Sequence, residues 1–433
     1  MAADQPFAPK RIFIDCTRTA GCASNTGIER VVRNVVNAGL RLAPGRNAVW
    51  QPVVFDGRRD FLPAGVLQQP AAVAEPTAPA PARLPRRIAR RLKREVRSGV
   101  EVCRRIGRSS GLVGPKPVRF RNGDVLLLLD SSWYYPYWGA VDVARNAGAV
   151  VGVGLYDMLP ISQPQHFTDE LVEVFLRWWE TARTRASFAV CISQSTWDEA
   201  RRLHRESPPE AVAARELRGG SYRLGADLGG PVEPSPRPPI YSTFAELETA
   251  PAYLMVGTVN PRKNHGFALD AFDRLWTGGS PARLAFAGVY GWGAEELYRR
   301  ITTHPEYGRK LLWFTDASDG ELTHAYRRAA GVITCSTGEG FNLPIVEALR
   351  EGCPVFASDL TVHREVGRAF ASYFPLDDPG RLADLLKDRR GRETPAGVRP
   401  HAEFHWPDWD ECFEELFALV DRVTAERSAV RAA

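Results

Sequence analysis

The sequence predicts an α/β protein built as two Rossmann-like halves, each a parallel sheet covered by helices. Three observations carry this. Short buried-strand patterns alternate with helical periodicity along most of the 433 residues. The alternation stops once, at a proline-rich stretch, and then restarts. Apolar residues make up 44% of the chain, enough for two ordinary cores and too many for a disordered polymer.

Alternation implies parallel pairing, because parallel strands need crossovers and crossover helices cover both sheet faces. In the first half, strand patterns fall at residues 11–15, 124–130, 149–156 and 188–193. A helix opens near Gly27, with Ile28, Val31, Val32, Val35 and Val36 on one face, and another occupies residues 169–185. Residues 68–82, rich in Pro and Ala, read as a loose linker inside an insertion spanning 68–118. Residues 231–239 hold five prolines and mark the join between the halves. Strand patterns resume at 253–258, 284–288, 311–315, 331–335 and 354–358. The expected division is a first domain at 1–230, a linker at 231–250, a second domain at 251–405 and a final segment at 406–433. That segment holds an amphipathic helix expected to pack back across a domain. Two such sheets facing across a cleft would bring their ligand-binding strand ends together.

Composition removes several classes. Apolar runs such as 125–129 are far too short to cross a bilayer, and residues 1–11 lack the apolar stretch of a signal peptide. The expectation is a cytoplasmic enzyme. Seven cysteines without a C-x-x-C pair point to reduced thiols. The net charge of +5 is uneven: residues 83–108 carry eleven Arg and Lys against Glu95 and Glu101, so the remainder is mildly acidic. Within that segment Ile88, Leu92, Val96, Val100 and Cys103 share a helix face framed by arginine. This is the pattern of an interfacial helix, and it predicts peripheral attachment to an anionic membrane surface. No aromatic residue is interleaved to stack on bases, so nucleic acid is not the expected partner. A solvated insertion is the alternative.

The strongest chemical signal is Gly338-Glu339-Gly340-Phe341-Asn342-Leu343-Pro344-Ile345-Val346-Glu347-Ala348-Leu349. A strand ends just before it and a helix begins near Asn342. Unpaired N–H groups at such a helix start suit a phosphate. Glu339, placed at the loop tip, can accept hydrogen bonds from sugar hydroxyls. Glu347, one to two turns into the helix, can reach a ribose.

This string resembles the E-x7-E motif of the large retaining glycosyltransferase family four, which has the GT-B fold. Gly257-Thr258-Val259-Asn260-Pro261-Arg262-Lys263-Asn264 resembles that family's strand-to-helix turn, and Ser318-Asp319-Gly320-Glu321-Leu322, with Tyr326 and Ala329, its "S-D-x-E-L" helix. Glu365-Val366-Gly367 resembles its late "E-V-G" step. These cover roughly residues 251–385. The first half is less similar, though Thr26-Gly27-Ile28-Glu29-Arg30, Tyr156-Asp157-Met158-Leu159-Pro160, Ile192-Ser193-Gln194-Ser195 and Leu224-Gly225-Ala226-Asp227 each resemble a family step. Tyr156 stands where many relatives carry His, and Thr258 where many carry Arg.

The resemblance implies retaining transfer of a hexose from a nucleotide-diphosphate sugar to a glycan or lipid-linked glycan. Arg262 and Lys263 would stabilise the leaving diphosphate, Glu339 would orient the sugar, and Asp157 would meet the acceptor. Gly27, Gly257, Thr258, Gly340, Phe341, Asn342, Leu343 and Glu347 would complete the donor site. No metal or cofactor is expected. The Y-D-x-L-P turn resembles bacterial O-antigen and capsule transferases, which favours GDP-mannose as donor. A GT-B epimerase, a phosphorylase and a non-catalytic transferase-like scaffold stay open. Asp408-Trp409-Asp410 spells D-x-D but opens a helix, where acidic residues favour the dipole. His265 either touches donor or solvates its turn.

Overall fold

A computed structural model of the chain describes residues 9–22, 27–68, 115–206, 216–228, 238–244, 250–387 and 397–432. The basic segment 83–108 lies outside them, as do residues 231–237 of the expected linker.

The first unit comprises Met1–Ile161, Phe167–Gly225 and Trp409–Ala433. Its strands are β1 (Lys10–Asp15), β2 (Ala48–Phe55), β3 (Phe61–Pro63), β4 (Val125–Leu128), β5 (Val150–Leu155), β6 (Phe188–Cys191) and β7 (Gly219–Ser221). They form one sheet in the order β3-β2-β1-β4-β5-β6-β7. β4, Val-Leu-Leu-Leu, is buried along its whole length, as a central parallel strand must be. Helices α1 (Thr17–Ala20), α2 (Gly27–Leu42), α3 (Trp138–Asn146), α4 (Leu159–Ser162), α5 (Asp169–Arg185) and α6 (Gln194–Glu206) follow these strands. Three strands of this sheet were not anticipated. β2 is interrupted in sequence by Pro52, which nevertheless sits opposite Ile14 in the parallel register. β3 and β7 are only three residues long. β3 also runs antiparallel to β2, so the sheet is parallel except at this edge.

The second unit comprises Ser162–His166 and Ala226–Asp408. Its strands are β8 (Ala252–Val256), β9 (Arg283–Ala287), β10 (Leu311–Phe314), β11 (Gly331–Thr334), β12 (Val355–Ser358) and β13 (Ser372–Phe374), all parallel, in the order β10-β9-β8-β11-β12-β13. Its helices are α7 (Pro238–Thr243), α8 (His265–Thr277), α9 (Glu295–Thr302), α10 (Asp319–Arg328), α11 (Leu343–Arg350), α12 (Thr361–Gly367) and α13 (Pro379–Leu386). α7 falls within the stretch 231–250 expected to be a linker. Proline is tolerated in a first turn, and Ile240 and Phe244 are buried at 3% and 0% exposure, so this stretch is packed. The S-D-x-E-L motif has a local cause. Ser318 and Glu321 form a reciprocal capping box that starts α10, satisfying two backbone donors at its N-terminus.

The last helix, α14 (Trp409–Ala432), belongs to the first unit. Phe413 meets Trp50 edge-on at 5.0 Å, and Arg41, Arg46 and Lys10 pair with Asp410, Glu414 and Asp421 at 2.7–2.8 Å. Asp410, the second acid of the D-x-D string, is thereby engaged by both terminal nitrogens of Arg41. Among the described residues, no helix is long and apolar enough to cross a membrane.

Each sheet has one place where successive connections leave in opposite directions: between β1 and β4 in the first, and between β8 and β11 in the second. Ligands of open parallel sheets bind beyond the strand ends at such points.

Candidate donor site at the β8/β11 switch point

β8 ends at Val256, and the chain turns through Gly257 (φ 138°). A Cβ on Gly288 (φ 154°), in the loop after β9, would lie 2.1 Å from the Gly257 carbonyl oxygen, so the two loops approach this closely only without that side chain. Asn260, 2% exposed, then caps a single 3-10 turn, its Oδ1 accepting from Lys263 N at 3.0 Å. That turn carries Arg262 and Lys263 to the end of the neighbouring strand β11.

There they meet Glu339. Lys263 Nζ lies 2.5 Å from Glu339 Oε1 and Arg262 lies 2.6 Å from Oε2. Ser336 Oγ donates to Oε1 at 2.6 Å, and Arg262 also donates to the Gly338 carbonyl at 2.6 Å. The Arg262, Lys263 and Glu339 side chains are 14%, 13% and 7% exposed. Burial alone would raise the Glu339 pKa; Arg262 and Lys263 together override it and hold the carboxyl well below the usual range. Glu339, expected at a loop tip, is a buried anion between two cations. Two positive charges against one negative leave the cluster cationic, and the cations are its more exposed members.

Asn342 joins this loop to α11 in a left-handed conformation (φ 81°) that Asn tolerates better than most residues. Its Nδ2 donates to Thr334 Oγ1 at 2.8 Å and to His363 Nε2 at 2.9 Å. His363 is fully buried, and its Nδ1–H donates to the Ser358 carbonyl at 2.8 Å. Accepting at one nitrogen and donating at the other fixes a neutral imidazole, in line with burial pushing its pKa down. α11 then starts at Leu343 and Pro344, with Gly340 and Phe341 buried beneath its first turn. Glu347 is 2% exposed and accepts from Tyr326 Oη at 2.7 Å.

Gly257, Thr258, Arg262, Lys263, Glu339, Gly340, Phe341, Asn342, Leu343 and Glu347 lie on the loops and helix beyond β8 and β11, with Gly257 and Thr258 just past the end of the strand expected to include them. His265 is corrected to core. It is fully buried edge-on to Phe286 at 4.9 Å, and its pKa is pushed down to about 3 by burial and by Lys263. Gly27 and Asp157 belong to the first unit. Gly27 opens α2 with open space where a side chain would sit, and Asp157 Oδ1 accepts from Leu159 N at 3.1 Å at the start of α4. Ser336, Asn260 and His363 were not anticipated. Asn260 before Pro261 is a readable helix-start signal; the other two acquire their roles only through tertiary contacts. Among the described residues, no group of three His, Cys, Asp or Glu is placed to hold a metal ion.

Residues 242–388 match the family described as Glycosyl transferases group 1. The match covers about a third of the chain and lies wholly within the second unit. The chain is also 30% identical over 305 residues to the serotype-specific mannosyltransferase WbdA of Escherichia coli, covering 70% of this chain and 37% of that protein. It is 31% identical over 168 residues to O-antigen chain mannosyltransferase B of Escherichia coli, covering 35% of this chain and 42% of that one. The chain thus spans well under half of these relatives' lengths. Among solved structures it is similar to sucrose-phosphate synthase from Thermosynechococcus elongatus (17% identity, TM-score 0.57, 98% of each chain). It is also similar to Anabaena HepE in complex with UDP-glucose (14% identity, TM-score 0.55, 97% and 99% of the two chains). At these identities the likeness is one of fold, the GT-B fold. The matched residues 242–388 contain the whole Arg262–Lys263–Glu339 cluster.

Proposed function

We propose that this chain is a retaining, metal-independent hexosyltransferase of bacterial cell-surface polysaccharide synthesis. It moves mannose from GDP-mannose to a glycan or lipid-linked glycan. The observation that carries the reading is the net-positive cluster of Arg262, Lys263 and Glu339 at the β8/β11 switch point, inside the group 1 match. The mannosyltransferase relatives support the sugar, and the neighbour holding UDP-glucose supports a nucleotide-sugar donor.

In this reading the bond from the anomeric carbon to the diphosphate breaks, and negative charge grows on the departing phosphate. Arg262 and Lys263, held in place by Glu339, stabilise that charge together with the N–H groups near Phe341 and Asn342. A preorganised donor of this kind is worth about 3 kcal/mol. The acceptor oxygen bonds to the same face of the sugar, and the phosphate leaves with the acceptor's proton. A carboxylate offers about four lone-pair sites; Arg262, Lys263 and Ser336 take three, which leaves Glu339 room for one sugar hydroxyl. Glu347 would meet the ribose and Asp157 the acceptor. Residues 83–108 would dock the enzyme on an anionic leaflet, where each basic residue contributes about 1 kcal/mol.

The test is a panel of nucleotide sugars with release of nucleoside diphosphate as readout. GDP release from GDP-mannose above the other donors supports the reading; no release from any donor, with or without acceptor, sinks it. Sedimentation with anionic and neutral liposomes, with and without residues 83–108, tests the membrane arm. Equal partitioning of the two proteins would rule that segment out.

A further inference from the structure

The first unit has its own switch point, and it is furnished. β1 ends in Asp15, and Asp130 follows β4; both carboxylates are 0% exposed. Asp15 accepts from Thr17 Oγ1 at 2.5 Å, Thr17 N at 3.1 Å and Tyr137 Oη at 2.7 Å. Asp130 accepts from Thr19 N and Ser131 N, each at 2.7 Å. Thr17 and Thr19 belong to α1, whereas Ser131 and Tyr137 belong to the loop after β4. The two acids therefore weld α1 and that loop into one rigid piece. Buried carboxylates are a poor way to gain stability compared with apolar side chains, so their presence here points to the positioning of something beyond the strand ends.

What they position is a run of rings. Residues 131–138 read Ser-Ser-Trp-Tyr-Tyr-Pro-Tyr-Trp, and of these five aromatic side chains Tyr137 alone is fully buried. Trp133, Tyr134 and Tyr135 are each partly exposed and each backed from behind. Trp133 meets Phe175 at 5.4 Å and Trp178 at 5.8 Å, and Tyr135 stacks on Tyr137 at 5.4 Å and 27°. Tyr134 is covered by the Arg18 guanidinium, 4.5 Å from the ring centre. Arg18 reaches Glu29 at 3.4 Å and keeps 24% of its side chain exposed.

We propose that Trp133, Tyr134, Tyr135 and Arg18 form a binding site for a pyranose unit of the glycan acceptor. This rests on the transferase reading for the word acceptor, but not for the sugar chemistry. A pyranose has an apolar C–H face and a rim of hydroxyls. Fixed, half-exposed aromatic rings match the face, and a charged guanidinium beside them matches the rim. Trp133 and Tyr135 pack against the first unit's core yet keep part of each ring exposed, and Arg18 adds a charged group that a purely apolar docking surface would not carry.

Saturation-transfer NMR on the full chain tests this, with linear mannotriose, maltotriose and GDP as probes. Saturation should reach the ring C–H protons of at least one trisaccharide. Tyr134→Leu keeps apolar bulk but removes the aromatic face, and Tyr135→Ala removes a second ring; each should weaken that trisaccharide about 5- to 10-fold. Melting curves check the fold, with Tyr134→Leu the variant best suited to keeping it. The proposal is overturned if neither trisaccharide receives saturation from the unmodified chain, if its affinity is unchanged in folded Tyr134→Leu, or if GDP is the probe weakened instead. Trisaccharide binding lost in the variants, together with no diphosphate release from any nucleotide sugar, would uphold this site and sink the transferase reading.

Discussion

Lys263 Nζ lies 2.5 Å from Glu339 Oε1, and the two residues reach each other from the ends of neighbouring strands, β8 and β11. The pair fixes an ammonium group beyond the sheet before any ligand arrives. Removing either member has different consequences, and the difference separates a structural role from a chemical one.

Glu339→Ala would strand two cations in a largely buried place, and breaking such a pair costs about 3–5 kcal/mol. Denaturant melts should show that loss, and turnover should fall by about 10² or more as the cations lose their register. Glu339→Gln keeps the shape and an acceptor oxygen, so it should lose less stability while activity still falls. Full activity in a folded Glu339→Ala variant would exclude Glu339 from the site.

Lys263→Ala leaves Glu339 paired to Arg262, so the stability loss should be smaller than for Glu339→Ala. A leaving-group contact strengthens in the transition state, so kcat should drop roughly 10²- to 10³-fold. Steady-state kinetics decide the point. A change confined to KM would make Lys263 a ground-state anchor.

Much of this site could be read in the sequence. The glycines flanking Glu339, the Pro-Arg-Lys turn and the strand-helix alternation are local signals, and they mark the loops after β8 and β11. Which side chains pair is not local. Arg262 and Glu339 are 77 positions apart in sequence, and neither periodicity nor a motif says that the glutamate pairs with the lysine and arginine. The same holds for the fold. β4 and β5 announce themselves through long apolar runs, whereas β2 is broken by Pro52, and β3 and β7 are too short to show a period. Asp15 and Asp130 looked like ordinary strand-end polar residues until the β1–β4 pairing brought their strands together.

EDTA should leave activity intact, since Arg262 and Lys263 supply positive charge at the leaving group and Asp410 is engaged by Arg41. Diphosphate release with and without chelator, followed by manganese, is the measurement. Full loss with recovery on manganese would overturn the metal-independent reading.

Asp15 should give the first unit a distinctive pH dependence. Burial and the neighbouring Asp130 push its pKa up to about 7. The folded state therefore holds a proton that the unfolded chain releases near the ordinary value of about 3.9. This contribution to stability is full below that value and is lost as pH rises toward 7. Asp15→Asn carries a permanent proton equivalent and should flatten the fall in melting midpoint between about pH 4 and pH 7, the window those two values enclose. An unchanged slope would show that Asp15 does not keep its proton in the folded state across that window.

Asn342 tests whether the start of α11 is held by backbone preference or by hydrogen bonds. Its φ of 81° disfavours most side chains, and its Nδ2 serves both Thr334 and His363. Asn342→Gly keeps the left-handed turn and loses both bonds; Asn342→Ala loses both and adds strain of about 1–2 kcal/mol. Each buried bond contributes about 1 kcal/mol, more if His363 Nε2 is left unsatisfied. Denaturant melts should therefore order the variants wild type, Gly, then Ala, with Gly already about 2 kcal/mol down. Asn342→Asp is the sharper variant. An ionised carboxylate cannot donate to His363 Nε2, so His363 must take a proton to restore the contact, against the burial that disfavours its charged form. Stability and turnover of that variant should recover on going to acid, where the imidazole or the carboxylate is protonated, whereas the Gly and Ala variants should show no such recovery. An Asp variant with wild-type stability at neutral pH would mean that the Asn342–His363 bond does not hold the helix start in place.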